Sequence, residues 1–154
     1  MTSKSKNFPA KDSPPARTRP SIVYWILAVI ALCGLADATF LTVAHLTGDD
    51  AVCGSLAGCS TVLGSKYAAI RGIPTAAFGA LAYFTVFSLA TLAASGYAQL
   101  RRFLVLVVGS MFVASLYFLY LQAFVLHAFC PFCLFSAAMT FLLAGLLVAI
   151  PTAR

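Results

Sequence analysis

Two cysteine pairs are the residues of this chain whose types and spacing could do chemistry. Cys130 and Cys133 enclose Pro-Phe in a Cys-x-x-Cys motif between two long apolar runs, and Cys53 and Cys59 lie in a loop between two earlier runs. A thiolate attacks a disulfide sulfur, so two pairs that meet can pass two electrons between them through mixed disulfides. The pattern therefore predicts a thiol–disulfide relay.

The Cys-x-x-Cys motif is predicted to open a helix. A helix N-terminus presents unsatisfied N–H groups and a positive partial charge, both of which stabilise a thiolate. Pro131 suits the first helical position, where its missing N–H costs nothing. We therefore predict that Cys130 caps the helix and that Cys133 lies about one turn in. On this basis Cys130 is expected to be the more exposed thiol and Cys133 the deeper one.

The loop pair has a different character. Cys53 and Cys59 enclose five residues, and a disulfide that closes so short a loop removes little chain entropy. This favours a reversible redox pair over a structural disulfide, which stays the alternative. The four cysteines could also bind zinc, but zinc sites usually combine two closely spaced pairs, and the five-residue gap fits poorly. No metal site is predicted.

Four further residues of the apolar runs and their ends are weaker candidates. Cys33 lies alone in the first apolar run and is read as a small hydrophobic residue. Asp37 lies in the same run, where an ionisable group is costly and often marks function. It could handle a proton, or it could be satisfied by a neighbouring helix or by water. His45 and His127 lie near the outer surface and are more typical of interfacial residues than of catalysts.

The composition places these residues in a membrane protein. Of the 154 residues, 62% are hydrophobic and only 9% are charged, and the mean hydropathy is +0.97. A helix needs about 20 apolar residues to cross roughly 30 Å of hydrocarbon, and four stretches meet this requirement. The predicted fold is an all-α bundle with transmembrane helices at about Ile22–Leu46, Thr75–Ala94, Phe103–Leu126 and Pro131–Ile150.

The basic residues predict the orientation of the bundle. The net charge of +6 does not indicate nucleic-acid binding, because five of the ten Lys and Arg residues precede the first span. Arg101 and Arg102 between spans two and three, and Arg154 after span four, charge the same side. The positive-inside rule then puts both termini in the cytoplasm, although Lys66 and Arg71 in the first outer loop oppose it. The cysteine pairs face outward from the cell inner (plasma) membrane, on the oxidising side.

Two segments lie outside the spans. Residues 1–20 are rich in Pro, Ser, Lys and Arg and are predicted to form a disordered cytoplasmic tail. The second segment is an outer loop over 47–73, which belongs to the four-helix redox domain predicted for residues 21–151. In this loop Ser60 is expected to cap a short surface helix that ends at Gly72 and acts as a lid. Four apolar residues share one face of this helix: Val62, Leu63, Tyr67 and Ile70. A disordered tether is the alternative.

The order of these motifs resembles the vitamin K epoxide reductase family. The matching features, in order, are the Cys-x5-Cys loop, Ser-Lys-Tyr-Ala at Ser65–Ala68, Gly72-Ile-Pro, Phe78-Gly79, and Cys-Pro-Phe-Cys at the head of the last span. The resemblance covers about residues 22–150. It is specific because two cysteine pairs, a serine six residues after the second loop cysteine and four spans occur in one order.

The resemblance implies a four-helix bundle that encloses a quinone, such as menaquinone, ubiquinone or phylloquinone. It implies that Cys130 and Cys133 reduce the quinone and that Ser65 lies near it. Cys53 and Cys59 match the family's shuttle pair, which accepts electrons from a thioredoxin-like partner. The expected function is that of a quinone-dependent thiol–disulfide oxidoreductase that supports disulfide formation in exported proteins.

The cysteine chemistry also calls for a two-electron acceptor, and the chain contains no metal or haem signature. A membrane-soluble quinone held between helices is the simplest candidate, since apolar pockets in bundles suit such a ring. Phe129, Phe132 and Phe135 could line the site, although aromatic residues in spans more often pack or face lipid.

Two departures from the vertebrate members favour the bacterial branch of the family. Thr75 stands where those members have an asparagine shortly before Phe-Gly, and Ala137 stands where they have a tyrosine four residues after the last active cysteine. Many bacterial members carry a fused thioredoxin-like domain. Because this sequence stops at Arg154 without one, the partner is expected to be a separate protein.

Two other hypotheses fit parts of the pattern. The bacterial disulfide-bond protein B also has four spans and two outward cysteine pairs, but its Cys-x-x-Cys lies in the first loop, so the order here argues against it. A non-enzymatic membrane subunit or scaffold would instead hold its outer loops with static disulfides. Quinone-dependent turnover of the disulfides would separate an enzyme from such a scaffold.

Overall fold

The computed structural model describes residues 18–48 and 57–149. Along the chain it contains α1 (Thr18–Thr47), α2 (Ala57–Leu63), β1 (Ala69–Ile70), β2 (Ile73–Pro74), α3 (Thr75–Ala94), a 3-10 turn (Ala98–Leu100), α4 (Arg101–Tyr120), a π-helical turn (Leu121–Val125) and α5 (Pro131–Ala149). Most of the predicted tail lies outside the described residues, as do Cys53 and the loop around it.

Within the described residues, four helices are long and apolar enough to cross a membrane, which confirms the predicted spans. The candidate spans are Ser21–Thr47, Thr75–Ala94, Arg101–Val125 and Pro131–Ala149. Large apolar side chains such as Leu106 and Val148 cover their outward faces, as expected of helices that contact lipid. The break before Pro131 also lies where it was predicted. The chain is therefore a multi-pass helical membrane protein.

Close packing of α1 against α3 forms the main contact of the bundle. Gly34 allows this approach, because a Cβ at that position would run into the ring of Tyr83. The buried Tyr83 hydroxyl in turn donates a hydrogen bond to the Ser136 carbonyl oxygen at 2.6 Å and lies 2.9 Å from Thr140 Oγ1. One tyrosine thus connects α1, α3 and α5 in the half of the bundle that carries the cysteines.

The outer loop contains the predicted short helix, but its bounds differ from the prediction. The helix α2 ends at Leu63, and Ser60 lies inside it rather than at its cap. The strands β1 and β2, of two residues each, then form a hairpin in which Ile70 pairs with Ile73. Arg71 and Gly72 make the turn with φ angles of 54° and 83°, a left-handed conformation that a helix cannot contain. The predicted helix to Gly72 was therefore too long.

Candidate active site

The segment that leads to the Cys-x-x-Cys motif is shaped by an irregular end of α4. The π-helical turn is closed by a hydrogen bond from the Leu126 N–H to the Leu121 carbonyl oxygen at 2.8 Å. His127 then takes a left-handed φ of 47° and reverses the chain. The Cys130 N–H donates to the side-chain Oε1 of Gln122 at 2.9 Å. These bonds fix the position from which α5 begins.

Cys130 caps α5, as predicted. Its carbonyl oxygen accepts the first helical hydrogen bond, from the Leu134 N–H at 3.0 Å, and its sulfur accepts the Cys133 N–H at 3.4 Å. A hydrogen bond from the Cys133 thiol lowers the pKa of Cys130 to about 7, assisted by the backbone N–H groups of Cys133 and Phe132 and opposed by burial and by the charge of Asp37. Cys130 is therefore the sulfur that ionises near neutral pH.

The expected order of exposure of the two thiols was wrong. Cys130 has no accessible surface, whereas Cys133 is only partly buried, and both carry free thiols. Helix α2 causes the difference, because it packs on the head of α5 and places Cys59 in one buried cluster with Cys130. Cys59 itself takes part in a disulfide. The expected pairing of Cys59 with Cys53 lies outside the described residues.

A glycine allows α2 to pack this closely. A Cβ at Gly58 would collide with the carbonyl oxygen of Phe129, one residue before Cys130. Four partly buried residues pack against these two cysteines: Val62, Leu63, Phe132 and Cys133. Close contact between the backbone at Gly58 and the backbone at Phe129 therefore brings Cys59 and Cys130 together. The sequence pattern predicted that the two cysteine pairs meet, but not how.

A cavity of about 430 Å³ lies on the other side of the motif, between the helices and below α2. Cys133 lines it, and so do Ser65 and Ala137. The Ser65 hydroxyl donates to the Val62 carbonyl oxygen at 2.8 Å, so its lone pairs rather than its proton remain available. The walls are mostly apolar, and the volume falls within the range of pockets that hold small organic ligands. Ser65, Phe132 and Cys133 are the residues expected at the quinone, and two of them, Ser65 and Cys133, thus share one cavity.

The predicted aromatic residues do not line this cavity. Phe132 packs against Phe40 of α1 with ring centroids 5.4 Å apart, and Phe129 and Phe135 are exposed on the outside of the bundle. The cavity walls instead contain Phe78 and Phe118. On α5, which begins at Pro131, the Phe132 side chain faces α1, whereas the Cys133 side chain faces the cavity.

The remaining candidates take different positions. Asp37 is partly buried on α1, and no described residue provides a hydrogen bond to its Oδ2 atom. His45 lines the cavity, whereas His127 belongs to the turn before Cys130, and Cys33 is exposed on α1. The sequence left open whether Asp37 handles a proton or is satisfied by a neighbouring helix or by water, and at this oxygen no helix of the described residues satisfies it.

The sequence analysis missed Gln122. This residue is 2% exposed, lines the cavity and bonds the Cys130 backbone. The available signal was an amide side chain in a run whose other polar residues are Ser and Tyr, eight residues before the first cysteine of the motif. Its partner is set by the π-helical turn and the reversal at His127, which periodicity does not predict.

Fold and site together define a four-helix membrane protein with a dithiol at the head of one helix. One sulfur of this dithiol, that of Cys133, faces an apolar cavity, and a third, disulfide-bonded cysteine, Cys59, packs against the other. Residues 25–148 match the vitamin K epoxide reductase family, and the chain belongs to this family. It is also 33% identical over 116 residues to the thiol-disulfide oxidoreductase LTO1 of Arabidopsis thaliana, an alignment that covers 70% of this chain and 31% of that protein. The chain therefore matches about a third of that relative's length.

Proposed function

We propose that this protein is a membrane quinone reductase that oxidises a thioredoxin-like partner and so supports disulfide formation in exported proteins. Membership of the vitamin K epoxide reductase family and the similarity to a thiol-disulfide oxidoreductase support a disulfide-relay redox role. The quinone, the partner and the direction of electron flow are parts of the proposal.

The division of the two thiols between two neighbours carries the proposal. Cys130 lies in a sealed cluster with Cys59, while Cys133 lines the cavity. An adjacent pair in which one sulfur contacts a second cysteine pair and the other contacts a ligand pocket can take electrons from one side and deliver them to the other. A scaffold with static disulfides has no need for free thiols at this point.

The relay uses two thiol–disulfide exchanges. A dithiol on the partner first reduces the disulfide that contains Cys59, and the partner becomes oxidised. The Cys59 thiolate then attacks Cys130 of an oxidised Cys130–Cys133 pair, forms a mixed disulfide and releases Cys133. Attack by Cys53 on Cys59 restores the loop disulfide and releases Cys130 as a thiolate. The lowered pKa of Cys130 favours this step, because a thiol of lower pKa leaves faster.

The electrons then leave through the cavity. Reoxidation of Cys130 and Cys133 to a disulfide releases two electrons and two protons, which a bound quinone accepts to become a quinol. The cavity fits such a ring, since its walls are mostly apolar and Cys133 and Ser65 lie among them. Ala137 contributes no hydroxyl to the wall, so the proposed substrate is a quinone rather than vitamin K epoxide.

The proposal also includes the orientation of the helix bundle in the membrane. Arg101 and Arg102 lie at the start of α4, at the opposite end of the bundle from α2 and the Cys-x-x-Cys motif. With the positive end in the cytoplasm, the cysteine pairs face outward from the inner (plasma) membrane, where a thioredoxin-like protein can reach the loop.

Replacing the loop cysteines tests the relay. We expect Cys53→Ala or Cys59→Ala to stop quinone reduction driven by a thioredoxin-like dithiol protein, while dithiothreitol, which can reduce the Cys130–Cys133 pair directly, still drives it. Cys53→Ala should also keep its melting temperature, because so short a loop contributes little entropy. Equal loss with both reductants, together with a lower melting temperature, would support a structural disulfide and contradict the relay.

A further inference from the structure

Gln122 is a buried amide at the point where the cavity meets the cysteine motif. It lies in the π-helical turn Leu121–Val125, and such turns occur frequently at functional sites. Its Oε1 accepts the Cys130 N–H, and its main-chain carbonyl oxygen accepts the Ala128 N–H at 3.1 Å. The same residue lines the cavity, as Cys133 does.

The hydrogen bond to Cys130 fixes which way the Gln122 amide faces. A backbone N–H can only donate, so the atom 2.9 Å from it must be the amide oxygen. The Nε2 atom therefore lies on the other side of the carboxamide. No described residue accepts a hydrogen bond from Nε2, and it is not one of the polar atoms buried without a partner. Its N–H groups are thus available to a ligand in the cavity.

Several other polar side chains of the cavity cannot replace this donor. A quinone carbonyl oxygen only accepts hydrogen bonds, so its binding site must supply protons. Four hydroxyl groups on the walls already donate to backbone carbonyl oxygens of the protein: Ser65, Thr75, Tyr83 and Ser110. Gln122 keeps a free donor and is also bonded to the backbone of a reactive cysteine.

We infer that Gln122 positions both reactants: its Oε1 holds Cys130 at the head of α5, and its Nε2 donates a hydrogen bond to a carbonyl oxygen of the quinone. The inference rests on the proposed quinone reduction and deepens it. A rigid amide that joins Cys130 to the ring sets the distance between the ring and the sulfur of Cys133. Gln122 is a positioning residue for the thiols and a binding residue for the quinone.

Two substitutions of Gln122 separate its two bonds. Gln122→Leu removes both, whereas Gln122→Glu, assayed at a pH where the carboxylate is ionised, keeps an acceptor for the Cys130 N–H but offers no donor to the quinone. The readouts are kcat and KM for a short-chain ubiquinone with dithiothreitol as reductant, and the infrared carbonyl band of the bound quinone labelled with carbon-13 at its carbonyl carbons. Gln99, exposed in the 3-10 turn at the other end of the bundle, provides matched controls as Gln99→Leu and Gln99→Glu.

We expect both Gln122 variants to raise the KM for the quinone about tenfold, the size of one lost hydrogen bond, and to move the carbonyl band to higher frequency. Only Gln122→Leu should also lower kcat, because only this variant loses the acceptor for the Cys130 N–H. Both Gln99 variants should behave as wild type. An unshifted carbonyl band in both Gln122 variants, with normal turnover of the wild-type protein, would overturn this inference alone. Absence of quinone-dependent turnover in the wild-type protein would overturn the proposed function, and this inference with it.

Discussion

Cys130 and Cys133 are only three positions apart in the sequence, yet their surroundings in the structure are very different. On the outer side, Cys130 has no accessible surface and shares a cluster with Cys59 under α2. On the inner side, Cys133 is partly exposed to a cavity of about 430 Å³. One helical turn therefore separates a sulfur suited to exchange with another cysteine from a sulfur suited to reaction with a bound ligand.

Depth along the helix and exposure of a side chain are different properties at a helix end in a membrane protein. Cys133 lies further along the helix, yet it is the more accessible of the two, because α2 covers the end of α5 while the bundle leaves space beside its first turn. Burial by a lid, rather than distance from the surface, decides which thiol a reagent or substrate can reach.

Removing the inner sulfur should have the largest effect. We expect Cys133→Ala to reduce quinone turnover to the uncatalysed rate with any reductant, because Cys130 is sealed from the cavity. Cys130→Ser should also lose turnover, but it leaves Cys133 able to react with the quinone, so a change in the quinone absorption spectrum should persist. Substantial turnover by Cys133→Ala would contradict the division of roles.

Displacing α2 should separate Cys59 from Cys130 and leave Cys133 facing the cavity. In Gly58→Ala the added methyl group meets the Phe129 carbonyl oxygen, so α2 must move and separate Cys59 from Cys130. Misplacement of reacting groups by about 1 Å can cost about a hundredfold in rate. We expect a loss of up to this size with a protein reductant and little loss with dithiothreitol.

The control for that variant is Gly109→Ala, a helical position at which an added Cβ has no neighbouring atom within 4 Å. It should match the wild-type protein with both reductants. If Gly58→Ala also kept its full rate with the protein reductant, the packing of α2 on Phe129 would not be what brings the two cysteines together.

The pH at which Cys130 ionises should show a smaller effect. Because a hydrogen bond from Cys133 lowers the pKa of Cys130 to about 7, the ultraviolet thiolate absorbance that Cys130 contributes to the reduced protein should appear with a midpoint near that value. In Cys133→Ala the lost thiol donor should move the midpoint to higher pH. Ultraviolet pH titrations of the reduced proteins, each compared with the same protein carrying Cys130→Ser, measure both midpoints, and equal midpoints would exclude the hydrogen bond as the cause.

Much of the architecture follows from the sequence. The four spans could be predicted because about 20 consecutive apolar residues have few stable alternatives to a membrane helix. The cap at Cys130 could be predicted because proline is preorganised for the first helical position. These features depend on residues that are near one another along the chain, and the structure has them at the predicted places, with α5 beginning at Pro131.

The tertiary structure alone decided how the site is arranged. The end of α2 at Leu63, the turn at Arg71 and Gly72, and the position of Phe132 against Phe40 depend on contacts between segments distant in sequence. The bond between Gln122 and Cys130 needs a π-helical turn and a left-handed residue between them. Sequence patterns determined which residues react and which segments enter the membrane, because both depend on local chemistry, whereas packing between distant segments determined which sulfur is covered and which faces the cavity.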